Sequence, residues 1–273
     1  MADAGKVAGL LSKKHYSAND LLAIVELLRA PGGCPWDAEQ THQSIKKNFI
    51  EETYEAIEAI NRADDTLLCE ELGDVLLQVA LHCQIAAERE SFTWEQVTDG
   101  VCRKLVERHP HVFGAVQVAG VDDVRSNWDT IKRRSKGQGT VTDAMEHIPR
   151  ELPALMRGTK LQQKAARAGF DWPDASGALD RLAKEVGELR EAVAQGVAVR
   201  CREELGDVLF SAANVARFLQ DCDAEEAMSA ANEKFLRRFA TAERMALAEG
   251  FAMKSAPSAE LDRLWEAAKK EDS

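Results

Sequence analysis

The spacing of apolar residues along the chain is helical almost throughout. Apolar side chains recur at i, i+3 and i+4 within four long segments, residues 20–29, 45–60, 67–87 and 94–108. This spacing places them on one face of a helix. No segment alternates apolar and polar residues for long enough to predict a β-strand. The pattern therefore predicts an all-α protein.

Clusters of glycine and proline predict where the helices stop. They fall at residues 31–35, 109–111, 114–120 and 136–139, and such clusters mark turns and loops. The last cluster, Lys136-Gly137-Gln138-Gly139, follows a basic run and is the best candidate for a linker between domains. A chain of 273 residues is long enough for one large domain or two modest ones.

An internal repeat decides between one domain and two. Four blocks recur in the same order, the last three at offsets of 133, 130 and 137 residues: Arg29–Asp37 with Arg167–Trp172, Glu70–Leu77 with Glu203–Phe210, Lys104–Arg108 with Lys234–Arg238, and Trp128–Lys132 with Trp265–Lys269. Offsets that drift by a few residues are what loop insertions produce. We therefore predict two tandem copies of one helical-bundle module, at residues 18–135 and 150–272.

Acidic residues in the first copy lie three apart on two successive predicted helices. Residues three apart share a helix face, so Glu52 and Glu55 project together, as do Glu71 and Asp74. The predicted link between the two helices is short, which favours antiparallel packing and brings the four carboxylates together. The alternative for either pair alone is that it decorates a solvent-exposed face.

Much of this acidic pattern returns in the second copy. The corresponding residues are Glu185, Glu188, Glu204 and Asp207. Recurrence of both halves at one offset argues against simple surface decoration. A mid-helix glycine also recurs, as Gly73 and Gly206, although it costs about 1 kcal/mol relative to alanine. Close approach by a neighbouring helix or by a ligand would explain this glycine.

Converging carboxylates imply a bound cation. Four of them cannot all stay ionised in a partly buried site without one. Oxygen ligands suit a hard cation, so Mg²⁺ is expected first and Mn²⁺ as a substitute. A di-iron centre would need paired Glu-x-x-His motifs, and the chain has one, Glu39 to His42. The chain contains no P-loop, HExxH or GxSxG motif, so any phosphate chemistry would not use a P-loop.

Repeated basic and aromatic residues fit a nucleotide. Lys104 and Arg108 are four residues apart, as are Lys234 and Arg238. Each pair could hold phosphate oxygens, and a paired tryptophan could stack on a base or a ribose. The alternatives are a solvated surface for the basic pairs and core packing for the tryptophan.

Net charge and composition narrow the partners further. The chain has 35 basic and 46 acidic residues, a formal net charge of −11. Residues 1–140 carry 16 basic and 22 acidic groups (−6), and residues 141–273 carry 19 and 24 (−5). Neither half is a basic platform, so no nucleic-acid partner is expected. Short apolar runs, the absence of a signal-peptide layout and six cysteines without a CxxC pair predict a cytoplasmic protein with no membrane partner.

The acidic motif and its context blocks resemble the MazG nucleoside triphosphate pyrophosphohydrolases. The motif is Glu-Glu-x-x-Glu at 51–55 followed by Glu-x-x-Asp at 71–74. The context blocks are Gly33–Asp37, Arg108–Phe113, Leu152–Met156 and Ala231–Phe235. The similarity covers nearly the whole chain, including its tandem organisation.

This resemblance implies Mg²⁺-dependent hydrolysis of nucleoside triphosphates to monophosphate and pyrophosphate, a broad house-cleaning substrate range and a homodimer. Carried over by position, the metal ligands and catalytic groups are Glu185, Glu188, Glu204 and Asp207, with Glu52, Glu55, Glu71 and Asp74 as metal ligands in the first copy. The candidate substrate contacts are Arg181, Lys184, Lys234, Arg237, Arg238 and Trp265.

The two copies differ at one position of the motif. Lys184 stands where the family pattern begins Glu-Glu, whereas Glu51 is present in the first copy. The C-terminal copy is generally the competent one in two-copy members, so the second copy is expected to be active. If the leading Glu is essential, the first copy does the work instead. The competing functions are a pyrophosphohydrolase specialised for dUTP or phosphoribosyl-ATP and a nucleotide-binding regulatory module without turnover.

Overall fold

The computed structural model describes residues 3–135, 137 and 139–272. Over these residues the chain is built from helices without a strand, which confirms the all-α prediction. It divides into two compact units, Met1–Ile131 and Lys132–Ser273. The predicted linker falls partly outside the described residues, at Lys136 and Gln138. The predicted module limits, 18–135 and 150–272, stay a prediction.

The first unit is built from the N-terminal helices. Their bounds are α1 Ala4–Leu11, α2 Ala18–Arg29, α3 Pro35–Ala38, α4 Lys46–Asn61, α5 Asp65–Glu88, α6 Trp94–Arg108, α7 Pro110–Phe113 and α8 Val121–Ser135, the division between units falling within α8. The four long segments of helical spacing correspond to α2, α4, α5 and α6 within a few residues. The predicted breaks at 31–35, 109–111 and 114–120 interrupt the long helices, although α3 and α7 form one turn each.

Short polar motifs fix where the helices of the first unit begin. Ser17 caps α2: its hydroxyl accepts from the backbone N–H of Asp20, and the Asp20 carboxylate accepts from the backbone N–H of Ser17 at 2.8 Å. Thr93 and Gln96 form the same reciprocal cap on α6. Such a capping box satisfies two N–H groups that the first turn leaves without an intrahelical partner.

The core of the first unit lies between α2 and α5. The core cluster consists of Val25 from α2, Ala80, Leu81 and Ile85 from α5, and Ile45, the residue that precedes α4. All five side chains are buried. The long helix α5 also packs along α4, so one helix links this core to the acidic face of the hairpin.

The second unit repeats the helical hairpin in a different setting. Its helices are α9 Val141–Glu146, α10 Ala154–Arg167, α11 Ala175–Gln195, α12 Ala198–Ala216, α13 Ala224–Ala248 and α14 Ser258–Glu271, with a short 3-10 turn at Met253–Ser255. Gly196 ends α11 in the left-handed conformation (φ 68°), which glycine adopts without steric cost. The chain therefore reverses within two residues before α12 begins.

Small side chains let the helices of the second unit pack closely. Ala178 and Ala192 on α11 and Ala213 on α12 are fully buried. A second core joins α13 and α14, where Leu264, 0% exposed, packs with Ala242, Ala246 and Ala268. Every described helix of either unit is too short or too polar to span a bilayer.

The capping carboxylate of α2 makes the stability of the first unit depend on pH. Lys13 donates to Asp20 at 2.5 Å, and this bond together with those from Ser17 lowers the pKa of Asp20 from 3.8 to about 2. The group therefore contributes stability that is present above the unfolded pKa and is lost as pH falls through 2. We expect Asp20→Asn to lower the melting temperature at pH 7, and the difference from wild type to shrink between pH 4 and pH 2.

Thermal denaturation followed by circular dichroism measures this difference. Asp99→Asn is the matched control, since Asp99 is exposed and pairs only with Arg103 on its own helix among the described residues. A deficit of Asp20→Asn that stays constant from pH 7 to pH 2 would contradict the assignment.

Candidate active site

Each unit carries its carboxylates on one helical hairpin. In the first unit α4 supplies Glu52 and Glu55, and α5 supplies Glu71 and Asp74. The link between these helices is residues 62–64, in which Ala63 has a positive φ of 52°. A link of this length returns the chain antiparallel to itself, so the acidic faces of the two helices meet.

Three of the four predicted ligands converge in the first unit. Carboxylate oxygens of Glu52, Glu55 and Glu71 lie within 4.8 Å of one another. Asp74 is outside this group but close enough to raise the pKa values of Glu52 and Glu71 through its charge. In both glutamates burial makes the largest contribution to the rise. Gln78, which is buried, donates to Glu52 at 3.5 Å.

The second unit brings together the corresponding three residues. Oxygens of Glu185, Glu188 and Glu204 lie within 4.8 Å of one another, and Asp207 raises the pKa of Glu185 through its charge. Glu185 is 1% exposed, and its Oε2 atom has no hydrogen-bond partner among the described residues. A buried anionic oxygen without a partner is costly unless a cation or donor binds it.

In the second cluster, the pKa values of Glu185 and Glu188, neighbours on α11, are shifted in opposite directions. Burial, followed by the neighbouring Glu188 carboxyl group, raises the pKa of Glu185. Lys184 donates to Glu188 at 2.9 Å and lowers the pKa of Glu188.

Three basic residues surround the second cluster. Arg181 pairs with Glu185, Lys184 with Glu188 and Arg200 Nε with Glu204 at 3.3 Å. Each basic residue precedes its carboxylate by four positions, one helical turn. Arg181 and Lys184 were predicted as substrate contacts, whereas Arg200 was missed. The i, i+4 spacing to Glu204 was the signal in the sequence that could have identified it.

The remaining predicted contacts form a separate group on α13 and α14. Arg237 and Arg238 both donate to Asp272, at 3.1 and 2.9 Å. Trp265 packs against Phe235 with a ring separation of 5.4 Å. Lys234 is exposed one turn before Arg238. Among the described contacts, none joins this group to the carboxylates.

The two repeated glycines do not serve close helix packing. A Cβ atom added at Gly73 or Gly206 would meet no described atom within 4 Å. No helix of the described chain therefore packs closely against either glycine, and the packing alternative finds no support within this chain. Approach of a ligand, the other alternative, stays a prediction.

Two antiparallel helical hairpins, each presenting three converging glutamates, define an all-α protein with tandem acidic sites. The model of the MazG nucleotide pyrophosphohydrolase domain matches the chain twice, at residues 40–113 and 175–241. These ranges contain the two hairpins. The chain therefore belongs to the MazG family.

Curated relatives extend this similarity over most of the chain. The nucleoside triphosphate pyrophosphohydrolase/pyrophosphatase MazG of Thermotoga maritima is 41% identical over 97% of this chain and 98% of that protein. The nucleoside triphosphate pyrophosphohydrolase of Escherichia coli K12 is 39% identical over 92% of this chain and 97% of that protein. Protein YabN of Bacillus subtilis is 43% identical over 93% of this chain and 52% of its own length.

Opposite pKa shifts at Glu185 and Glu188 predict opposite effects on stability. Because the pKa of Glu185 is raised on folding, its ionisation at neutral pH lowers the free energy of unfolding. We expect Glu185→Gln to raise the melting temperature at pH 7.5 in the presence of EDTA, with the gain shrinking as pH falls towards 4.

Glu188→Gln is the matched control for this measurement. The pKa of Glu188 is lowered on folding, so its charge stabilises the fold and its removal is expected to lower the melting temperature. If scanning calorimetry shows that both variants lower the melting temperature equally, the buried charge of Glu185 does not destabilise the fold.

Proposed function

We propose that this chain is a Mg²⁺-dependent nucleoside triphosphate pyrophosphohydrolase whose active site lies in the second unit. One observation carries the assignment. In the second unit, three converging carboxylates include a buried oxygen, Oε2 of Glu185, that has no hydrogen-bond partner among the described residues. Each of these carboxylates is also paired with a basic side chain. Oxygen ligands suit a divalent cation, and cations beside them suit phosphate. The names of the relatives from Thermotoga maritima and Escherichia coli support the same reaction.

The donor set of the second unit fits Mg²⁺. Glu185, Glu188 and Glu204 would hold the ion, with Asp207 as a fourth carboxylate at the edge of the cluster. When bound, Mg²⁺ would neutralise charge on the triphosphate and favour ionisation of water. Mn²⁺, which accepts the same oxygen ligands, would substitute. The first unit offers Glu52, Glu55, Glu71 and Asp74 for a second ion.

The reaction requires a water oxygen to bond to the α-phosphorus while the bond from that phosphorus to the bridging oxygen of pyrophosphate breaks. One carboxylate of the cluster would orient the water and take its proton. Arg181, Lys184 and Arg200 would leave their carboxylate partners and donate to phosphate oxygens, stabilising the charge on the departing pyrophosphate. Lys234, Arg237, Arg238 and Trp265 stay candidate contacts to the rest of the nucleotide.

Lys184 supports the choice of the second unit. It stands where the first copy has Glu51 and pairs with Glu188 at 2.9 Å. A cation at this position reduces repulsion between the cluster and a triphosphate, which a fifth carboxylate would increase. The first unit presents its carboxylates without an ion pair among the described residues, so it is suited to an ion but less suited to a polyphosphate.

A broad range of nucleoside triphosphates and cytoplasmic location belong to this proposal, as does the absence of nucleic-acid and membrane partners. A specialised enzyme for dUTP or phosphoribosyl-ATP is the competing function. A panel of triphosphates assayed for pyrophosphate release separates the two, since a specialised enzyme would turn over one substrate and leave the rest unchanged.

Exposed apolar residues support a homodimer. Ile50, Tyr54 and Ile57 form a stripe on α4, and Val101 and Leu105 form a second on α6, all at least 40% exposed. Exposed apolar surface of this kind marks an interaction site, and a second copy would cover the same stripes by two-fold symmetry.

Light scattering after size exclusion is expected to give twice the 30.1 kDa of one chain. Val101→Glu is expected to shift the population to monomer, whereas Arg103→Glu on the neighbouring face is the control. A monomer at micromolar concentration in the wild type would contradict the dimer.

Substitution of one glutamate in each unit tests which cluster is catalytic. We expect Glu204→Gln to lower pyrophosphate release from nucleoside triphosphates by about 100-fold or more, and Glu71→Gln to leave most of the rate. Glu203→Gln, an exposed neighbour of Glu204, is the control. Mg²⁺ is also expected to raise the melting temperature of the wild type after EDTA treatment.

The opposite pattern would reverse the assignment. Loss of activity with Glu71→Gln alone would place catalysis in the first unit. Orthophosphate as the sole first product, or a rate unaffected by removal of divalent ions, would contradict the proposed reaction.

A further inference from the structure

A pocket in the second unit lies on the helix that carries two of the active-site carboxylates. Its volume is about 400 Å³, and α10, α12 and the loop from 168 to 174 line it. Phe170, Trp172 and Phe210 form its aromatic walls. They are 84%, 42% and 46% exposed, so a large part of each side chain is open to a ligand. Concave sites lined by aromatic residues with a few polar groups are typical of small-molecule binding.

Two glycines seat the aromatic walls. A Cβ atom at Gly177, in the first turn of α11, would lie 3.0 Å from Cε3 of Trp172. A Cβ atom at Gly158 would lie 3.4 Å from Cδ2 of Phe210. Because Trp172 and Phe210 rest against backbone at these points, these two walls are positioned by the fold before any ligand enters.

A hydrogen-bonded chain orients the polar group on the pocket floor. Arg217 donates to both oxygens of Asp171, at 2.6 and 3.3 Å, which ties the loop to α12. The same guanidinium donates to Oδ1 of Asn214 at 2.7 Å. The Asn214 oxygen is thereby engaged, and its Nδ2 group is left to donate to a ligand.

A second amide in the pocket has the reverse polarity. Gln162 is buried, and its Nε2 donates to the carbonyl oxygen of Phe210 at 2.7 Å. Its Oε1 is buried with no hydrogen-bond partner among the described residues. The pocket therefore offers a donor at Asn214 and an acceptor at Gln162, between aromatic walls.

The pocket and the acidic cluster both include residues of α12. Phe210 and Asn214 follow Asp207 by three and seven residues, so all three share one helix face. At a rise of 1.5 Å per residue they lie about 5 and 10 Å further along the helix axis. A nucleotide whose phosphates reach the carboxylates would place its base in this direction.

We propose that this pocket binds the nucleobase of the triphosphate substrate, an inference that rests on the proposed function of the same unit. The planar base stacks on the aromatic walls. Asn214 Nδ2 donates to an acceptor atom of the base, and Gln162 Oε1 accepts from a base amino or imino group. Trp172 and Asn214 are the residues that determine affinity and base preference, while Gly177, Asp171 and Arg217 act as positioning residues.

The first unit lacks these groups at the corresponding positions. At the offset of 133 residues, Leu77, Leu81 and Gln84 stand in place of Phe210, Asn214 and Arg217. Leu81 is buried in the core of the first unit. The amide on the pocket floor and the guanidinium that orients it are therefore specific to the second unit.

Pyrophosphate release from ATP, GTP, CTP and UTP by full-length variants tests the pocket. Trp172→Ala is expected to raise KM about tenfold or more with a smaller change in kcat, because stacking on one aromatic ring contributes to binding of any base. Asn214→Ala is expected to change the ratios of kcat/KM among the four substrates by severalfold. Trp36→Ala, at the corresponding tryptophan of the first unit, is the matched control.

A binding measurement separates this inference from the proposed function. Calorimetric titration with AMP and with inorganic pyrophosphate, in Mg²⁺, is expected to show weaker AMP binding by Trp172→Ala and unchanged pyrophosphate binding. Equal loss for AMP and pyrophosphate, equal effects of Trp36→Ala, or unchanged substrate ratios in Asn214→Ala would overturn the pocket assignment. If the wild type releases no pyrophosphate but still binds AMP in a Trp172-dependent way, the proposed reaction fails while the pocket stands.

Discussion

Repulsion between carboxylates that a helical hairpin forces together is the interaction on which the rest of each unit depends. A link of two or three residues between the helices leaves the acidic faces no freedom to separate. Burial and neighbouring negative charge raise the pKa values of Glu52, Glu71 and Glu185, so each cluster opposes folding unless positive charge is supplied. Buried apolar side chains on the hairpin helices oppose this repulsion: Ala80, Leu81 and Ile85 on α5 in the first unit, and Ala178, Ala192 and Ala213 on α11 and α12 in the second.

The two units differ in the basic side chains that lie beside their carboxylates. In the second unit Arg181, Lys184 and Arg200 each neutralise a carboxylate one turn away. At the corresponding positions the first unit has Asn48, Glu51 and Leu67, of which none is basic. In the proposed reaction, the basic side chains of the second unit turn to phosphate oxygens. The two copies of one hairpin therefore present acidic sites with different charge surroundings.

Helix α12 carries residues of both the proposed metal site and the proposed base pocket on neighbouring turns. Helix α12 carries Glu204 and Asp207 and then, on the following turns, Phe210 and Asn214. A rigid helix fixes the distance between metal ligands and base contacts without help from a loop. The loop at 168–174 is in turn fastened to the same helix region by the bond between Asp171 and Arg217. The same element can thus set both where the phosphates lie and which bases reach them.

The sequence by itself was sufficient for the helical class, the tandem repeat and the pairing of acidic residues on helix faces. Those features follow from local periodicity and from comparison of the chain with itself, neither of which needs long-range contacts. It also indicated Lys184 as the position at which the copies differ. It did not reveal Arg200 as a partner of Glu204, because basic residues at i, i+4 are common on solvated helices.

Only the tertiary structure decided which groups lie next to one another across the helices. It placed Asp74 and Asp207 outside the closest trios, engaged Arg237 and Arg238 with Asp272, and left Gly73 and Gly206 on open faces. It also assembled a pocket from Gln162, Trp172 and Asn214, which are separated by up to 52 residues in the chain. Their proximity depends on how α10 and α12 pack, and packing is set by the sum of many weak contacts rather than by a readable local pattern.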